Sequence, residues 1–110
     1  MAGVCGAFAD STTMPAYLIA KVDVTDWARY REYMQATPGA MARFGGKFIA
    51  RGGQVVTLEG PAETRRVVII EFPSLDQAKA FYHSEEYTRA KKLREGAATG
   101  QFLAIEGTAT

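Results

Sequence analysis

A chain of 110 residues and 12.0 kDa, 47% hydrophobic and 23% charged, is one globular domain's worth of sequence and too apolar for wholesale disorder. Thirteen basic against twelve acidic side chains leave a formal charge of +1, so no global field marks a nucleic-acid or anionic-membrane binder, and no apolar run nears the roughly 18 residues of a membrane span. The single cysteine, Cys5, excludes an internal disulfide, and with the single histidine, His83, it excludes a Cys/His zinc site; a cytoplasmic protein with neither nucleic-acid nor membrane partners is expected.

Residues 1–13 are small and polar, with only Val4 and Phe8 as large apolar anchors. Ala7-Phe8-Ala9 has the form of a signal-peptidase site, but no basic residue precedes it and the apolar stretch is too short for a signal core. The segment is therefore expected to be a flexible tail ahead of a single domain spanning 14–110. From Pro15 to Val24, alternating apolar and polar positions predict a strand. Thr25-Asp26 then offers a helix start, with Trp27, Tyr30 and Met34 on one face and Tyr33 off that stripe. Thr37-Pro38 predicts a restart of the helix, and Gly45-Gly46 its end.

Two short strand segments are predicted at 47–52 and 55–59, bent at Gly52-Gly53. Arg66 to Phe72, RVVIIEF, is β-branched and almost unbroken, the strongest strand signal in the chain. Ser74 with Gln77 forms a capping box for the next helix, and Ser84 before Glu85-Glu86 reads as a second helix start. Gly100 is expected to end that segment, and 101–106 to form a last strand. The order β-α-β-β-α-β predicts an α+β, ferredoxin-like fold: an antiparallel sheet with two helices on one face.

Two helices cover only one face of such a sheet, yet both faces read as apolar. Tyr17, Ile19, Val67, Ile69, Leu103 and Ile105 would form a patch too large for a comfortable monomer. A second copy, packed sheet face to sheet face, is the simplest cover, so a homodimer is expected.

The ordered set MPAYLIAKVDV, Tyr30-x-x-Tyr33, GGKFIARGG, LEG, RRVVIIEFPS, FYHSEEY, LREGAA and IEG, running from Met14 to Gly107, resembles the family called domain of unknown function 1330. That family lies within the dimeric α+β barrel superfamily. The resemblance implies the ferredoxin-like fold and a dimer, and little chemistry; related barrels include small-molecule monooxygenases, isomerases and haem-degrading enzymes. The haem-degrading relatives carry a helical His together with an Asn. This chain has no Asn, so haem is not expected, and neither is any other cofactor.

Lys21 and Asp23 share a face with Tyr17 and Ile19, and strand parity brings Arg51 and Glu71 to the same face. A lone charge among apolar neighbours costs several kcal/mol unless it is paired, so these groups must pair, reach water or line a cavity. In the functional reading Glu71 accepts a proton and Arg51 or Lys21 holds an anionic substrate group, with Asp23 as a further ligand contact. In the structural reading they form an ion-pair network at the dimer interface. Tyr33, off the helical stripe, is the phenol best placed to meet a ligand. His83, between two helical segments, is a ligand-contact candidate or a helix-junction residue. Gly45-Gly46 and Gly52-Gly53 lack the spacing of a phosphate loop, and RRVVIIEF lacks the internal aromatics of an RNA-binding sheet. The expected function is cofactor-independent proton transfer or oxygenation of a small organic acid or phenol; the alternative is a non-catalytic ligand-binding or interaction domain.

Overall fold

The computed structural model describes residues 14–108, so the expected tail and Cys5 lie outside the described residues. Strand β1 (Ala16–Val24) buries Ala16, Leu18, Ala20 and Val22 and turns Tyr17, Ile19 and Lys21 the other way. Helix α1 (Trp27–Arg43) starts where the Asp26 carboxylate accepts the Arg29 N–H at 3.3 Å. It does not restart at Thr37-Pro38. It runs through Pro38, and the Thr37 hydroxyl donates to the Tyr33 carbonyl, one turn back, at 2.7 Å. Its buried stripe is Tyr30, Tyr33, Thr37, Ala40 and Met41, not the stripe through Trp27 and Met34. Trp27, at the helix start, is 45% exposed, so the stripe is set by the longer run of residues behind it. Tyr33 is therefore an inward residue.

Strand β2 (Lys47–Arg51) is short, and 55–59 is not a strand. Gly52, at φ +71, takes the chain out of β2 while its N–H donates to the Val67 carbonyl at 3.1 Å. The bulge lies inside β2, between Phe48 and Ala50, rather than at Gly52-Gly53. Strand β3 (Arg66–Phe72) has the predicted bounds. Helices α2 (Leu75–His83) and α3 (Glu85–Leu93) begin at Ser74 and Ser84, whose hydroxyls accept the Gln77 and Tyr87 N–H groups, each at 3.1 Å. Helix α3 ends at a turn before Gly96, and β4 (Ala98–Glu106) begins earlier than Gly100. Gly100 sits within the strand because a Cβ there would stand 2.6 Å from the Lys21 carbonyl oxygen.

The four strands form one antiparallel sheet in the order β2-β3-β1-β4, the ferredoxin-like arrangement. The helices cover one face, where Phe72, Phe81 and Tyr87 are the largest fully buried side chains. Helix α2 packs onto β1, β3 and β4, whereas α1 packs chiefly against α3 and so stands off from the sheet on the β2–β3 side. Among the described residues no helix covers the other face, which carries Tyr17, Ile19, Ile69, Leu103 and Ile105 as cross-strand neighbours. No helix among the described residues is long and apolar enough to cross a membrane.

Candidate functional site

The gap beneath α1 is a cleft whose enclosed part has a volume of about 30 Å³, room for a water or two. Tyr30, Tyr33, Met34 and Thr37 of α1 form one wall, and Phe48, Arg51, Arg66, Val68 and Ile70 of β2 and β3 form the other. Phe81, Tyr87 and Phe102 complete it with Leu18 and Ala20. Three phenols and two guanidiniums line this cleft, and among the described residues no carboxylate does.

The cationic side is held open by local geometry. Arg66 is the first core-facing position of β3, opposite Val22. Its Nη2 donates weakly to the Met34 sulfur at 3.6 Å, and its guanidinium lies 5.8 Å from the Trp27 ring. Its Nε is buried with no hydrogen-bond partner among the described residues. Gly52 makes room for it: a Cβ there would lie 2.6 Å from the Arg66 Cζ. The Arg51 guanidinium lies over the Phe48 ring at 4.2 Å.

The phenolic side is deeper. The Tyr33 and Tyr87 hydroxyls are 2.6 Å apart and buried. Arg94, the C-cap of α3, sets its guanidinium 5.4 Å from the Tyr33 ring and 4.5 Å from the Phe102 ring, with Nε buried and without a partner among the described residues. Burial, then the neighbouring Tyr87, pushes the Tyr33 hydroxyl far above the usual phenol range; burial also raises Tyr87, against the pull of Arg94. Burial and Tyr33 raise Tyr30, with Arg66 opposing. Burial pulls Arg94 down, but the adjacent Tyr87 and Tyr33 more than offset it and leave the guanidinium above its ordinary value. At neutral pH the phenols are therefore donors and not bases.

The structure splits the predicted site residues between the two faces. Tyr33 and Arg51 line the cleft. Arg51 does not join Glu71, because the bulge between Phe48 and Ala50 shifts the alternation of β2 and turns Arg51 to the helix side, opposite Val68. Glu71 instead faces away from the helices beside Tyr17 and pairs with Lys47 at 3.4 Å, a cation missed by the strand argument. Lys21 does not reach Glu71 either; its ammonium is 3.8 Å from Glu63. Glu63 is clamped by Arg65, which donates from Nε at 2.8 Å, from Nη2 at 3.1 Å and from its backbone N–H at 3.0 Å. These bonds from Arg65, side chain first and backbone next, hold the Glu63 carboxyl at about 2. Asp23 is exposed at the end of β1, near Arg65 in an open groove by Gly52 and Gly53. His83 is exposed at the end of α2, edge-on to Tyr82, away from the cleft. Among the described residues no group of His, Cys, Asp or Glu is placed to hold a metal ion.

Tyr30, Tyr87, Arg66 and Arg94 were missed as site residues. The tyrosines read as core aromatics and the arginines as strand-end and helix-end charges. The one available signal was Arg66 itself, a cation opening an apolar strand at a core-facing parity.

Fold and cleft define a ferredoxin-like α+β protein with an internal polar gap between its helices and its sheet. The chain matches the family described as Domain of unknown function (DUF1330) over residues 15–108, and it belongs to that family. No curated protein matches it in sequence. Among solved structures it resembles a protein of unknown function, RPA0582, from Rhodopseudomonas palustris, at 22% identity and a TM-score of 0.69, covering 96% of this chain and 95% of that one. It also resembles SnoaB, a cofactor-independent oxygenase from Streptomyces nogalater, at 13% identity and a TM-score of 0.62, covering 88% of this chain and 96% of that one. A dimeric ferredoxin-like protein of unknown function from Thermobifida fusca is similar at 14% identity and a TM-score of 0.55, covering 86% of this chain and 91% of that one. At these identities the likeness establishes the shared fold.

Proposed function

We propose that this protein binds a small organic acid or acidic phenol as its anion, in the cleft between α1 and the sheet, and works as a homodimer closed through the open sheet face. The observation that carries the reading is the lining: Arg51, Arg66 and three phenols, with no carboxylate opposing them among the described residues. Arg66 is half-buried and Arg51 exposed, and two guanidiniums with no carboxylate beside them among the described residues lower the energy of an anion that approaches them.

The chemistry that suits this lining starts from the bound anion. Among the described residues the cleft holds no Asp, Glu or His to take a proton, and burial keeps its tyrosines protonated. A substrate acidic enough to ionise when stabilised by arginine is therefore favoured for cofactor-independent proton transfer or oxygenation, the latter with dioxygen as co-reactant. The same missing base favours a second reading, a ligand-binding protein without turnover. The dimer is supported by the uncovered apolar face and by the dimeric ferredoxin-like structure the chain resembles. In it, Glu71–Lys47 is an interface ion pair.

Titration calorimetry with benzoate as probe tests the site. Wild type is expected to bind, and Arg66→Met to lose about tenfold or more in affinity. Equal binding by both proteins, or none by wild type, contradicts the reading. Oxygen uptake with a panel of acidic phenols separates enzyme from binder.

A further inference from the structure

The enclosed part of the cleft, about 30 Å³, is far smaller than the roughly 150 Å³ of a closed cavity that takes up an aromatic ring. A ring-bearing ligand that meets the cleft cations therefore keeps its ring outside. Arg66 marks the place, because it lines the cleft and also lines an open groove of about 560 Å³. The groove is walled by the end of β1, the Gly52-Gly53 turn, Val55, residues 63–66 and Trp27. Trp27 lies ahead of the buried stripe of α1, is 45% exposed, and has the Arg66 guanidinium 5.8 Å from its ring. The other guanidinium of the groove is occupied: Glu63 clamps Arg65, and Asp23, the second carboxylate of the lining, also acts on it. Arg66 meets a sulfur, a phenol and an indole, and no carboxylate among the described residues. An anion entering the groove thus finds one unclaimed guanidinium with an exposed aromatic ring beside it.

We propose that Trp27 contacts the ligand and sets its specificity: an aromatic carboxylate places its charge on Arg66, where groove and cleft meet, and lays its ring against Trp27 outside the cleft. This rests on the anion-binding reading above and narrows its ligand class from small acids in general to aromatic carboxylates. An aliphatic acid of the same charge has no ring to set against the indole. Gly52 keeps the meeting point open, since a Cβ there would stand 2.0 Å from the Arg66 Nη1.

Trp27 is the only tryptophan in the sequence, so its indole protons are identified in an NMR spectrum without ambiguity. With benzoate bound to wild type, nuclear Overhauser contacts between the benzoate ring protons and that indole are expected. Contacts to the buried rings of Phe81 and Tyr87 instead would put the benzoate ring inside the cleft and overturn the inference, as would bound benzoate with no contact to the indole. Trp27→Leu should weaken benzoate about fivefold, and Trp27→Phe, which keeps an aromatic ring, should stay within about twofold of wild type. Both substitutions leave the buried stripe of α1 in place. Unchanged benzoate affinity in Trp27→Leu contradicts the contact. Wild type should prefer benzoate to acetate about tenfold or more, and equal affinity for the two acids would remove the ligand class. If benzoate binds while these effects are missing, only this inference falls. If wild type binds no benzoate, the anion-site reading falls with it.

Discussion

Arg65 and Arg66 are neighbours in the chain with opposite surroundings. Arg65 grips Glu63 through both side-chain and backbone donors on the exposed flank of the sheet. Arg66 points beneath α1, where its guanidinium meets the Met34 sulfur and the Tyr30 hydroxyl, and its Nε has no partner among the described residues. The two faces repeat that contrast. On the open face Lys47 meets Glu71 and Lys21 meets Glu63; in the cleft Arg51 and Arg66 meet aromatic rings and phenols. Paired charges on an apolar face fit a surface that another chain can bury. Unpaired donors in a gap fit a site that waits for an anion.

The largest expected effect separates what each face does for the fold. Phe72→Ala, on the covered face and 1% exposed, should cost about 3–5 kcal/mol in denaturant unfolding. Ile105→Ala, on the open face and 55% exposed, should leave the folding of the chain nearly unchanged. A similar loss from both would erase the distinction. Next, Ile69→Lys places an unpaired charge in the middle of the open face and should convert the proposed dimer to a monomer by light scattering, with benzoate binding retained. A dimer unchanged by that substitution would move the interface elsewhere.

Smaller effects sharpen the same contrast. Glu71→Gln should weaken the dimer several-fold and leave ligand affinity within about twofold, since it keeps shape and removes only the Lys47 partner. Loss of ligand binding with an intact dimer would instead return Glu71 to the site. The smallest effect is that of pH. The Glu63 carboxyl sits at about 2, below its ordinary 4.5. Its folded-state pKa is depressed, so its contribution is fully present above about pH 4.5 and fades as pH falls toward 2. Thermal melts of wild type and Glu63→Gln should differ near neutrality and converge in acid; parallel curves would contradict the clamp.

Much of the fold was legible because its signals are local. RVVIIEF can hardly be anything but a strand, and Ser74 and Ser84 each cap a helix three residues before the amide they accept. The exposed apolar face also followed from simple alternation along β1, β3 and β4. The site was less legible because it depends on non-local geometry. The β2 bulge reverses the face of Arg51, while the conspicuous glycines 52–53 drew the bend to the wrong place. Trp27 suggested a helical stripe that excluded Tyr33, although the helix buries it. The partnership of Tyr33 with Tyr87 spans 54 residues, and neither position carries a local mark of it.

The central claim is that the cleft, and not the open sheet face, receives the anion. Titrating benzoate into isotope-labelled protein and following amide and side-chain NMR shifts compares the two faces in one experiment. The account predicts saturable shifts at Arg51, Arg66, Tyr30 and Tyr33, with Lys47, Glu71 and Ile105 unmoved. Shifts centred on Lys47, Glu71 and Ile105, with the cleft residues silent, would contradict it.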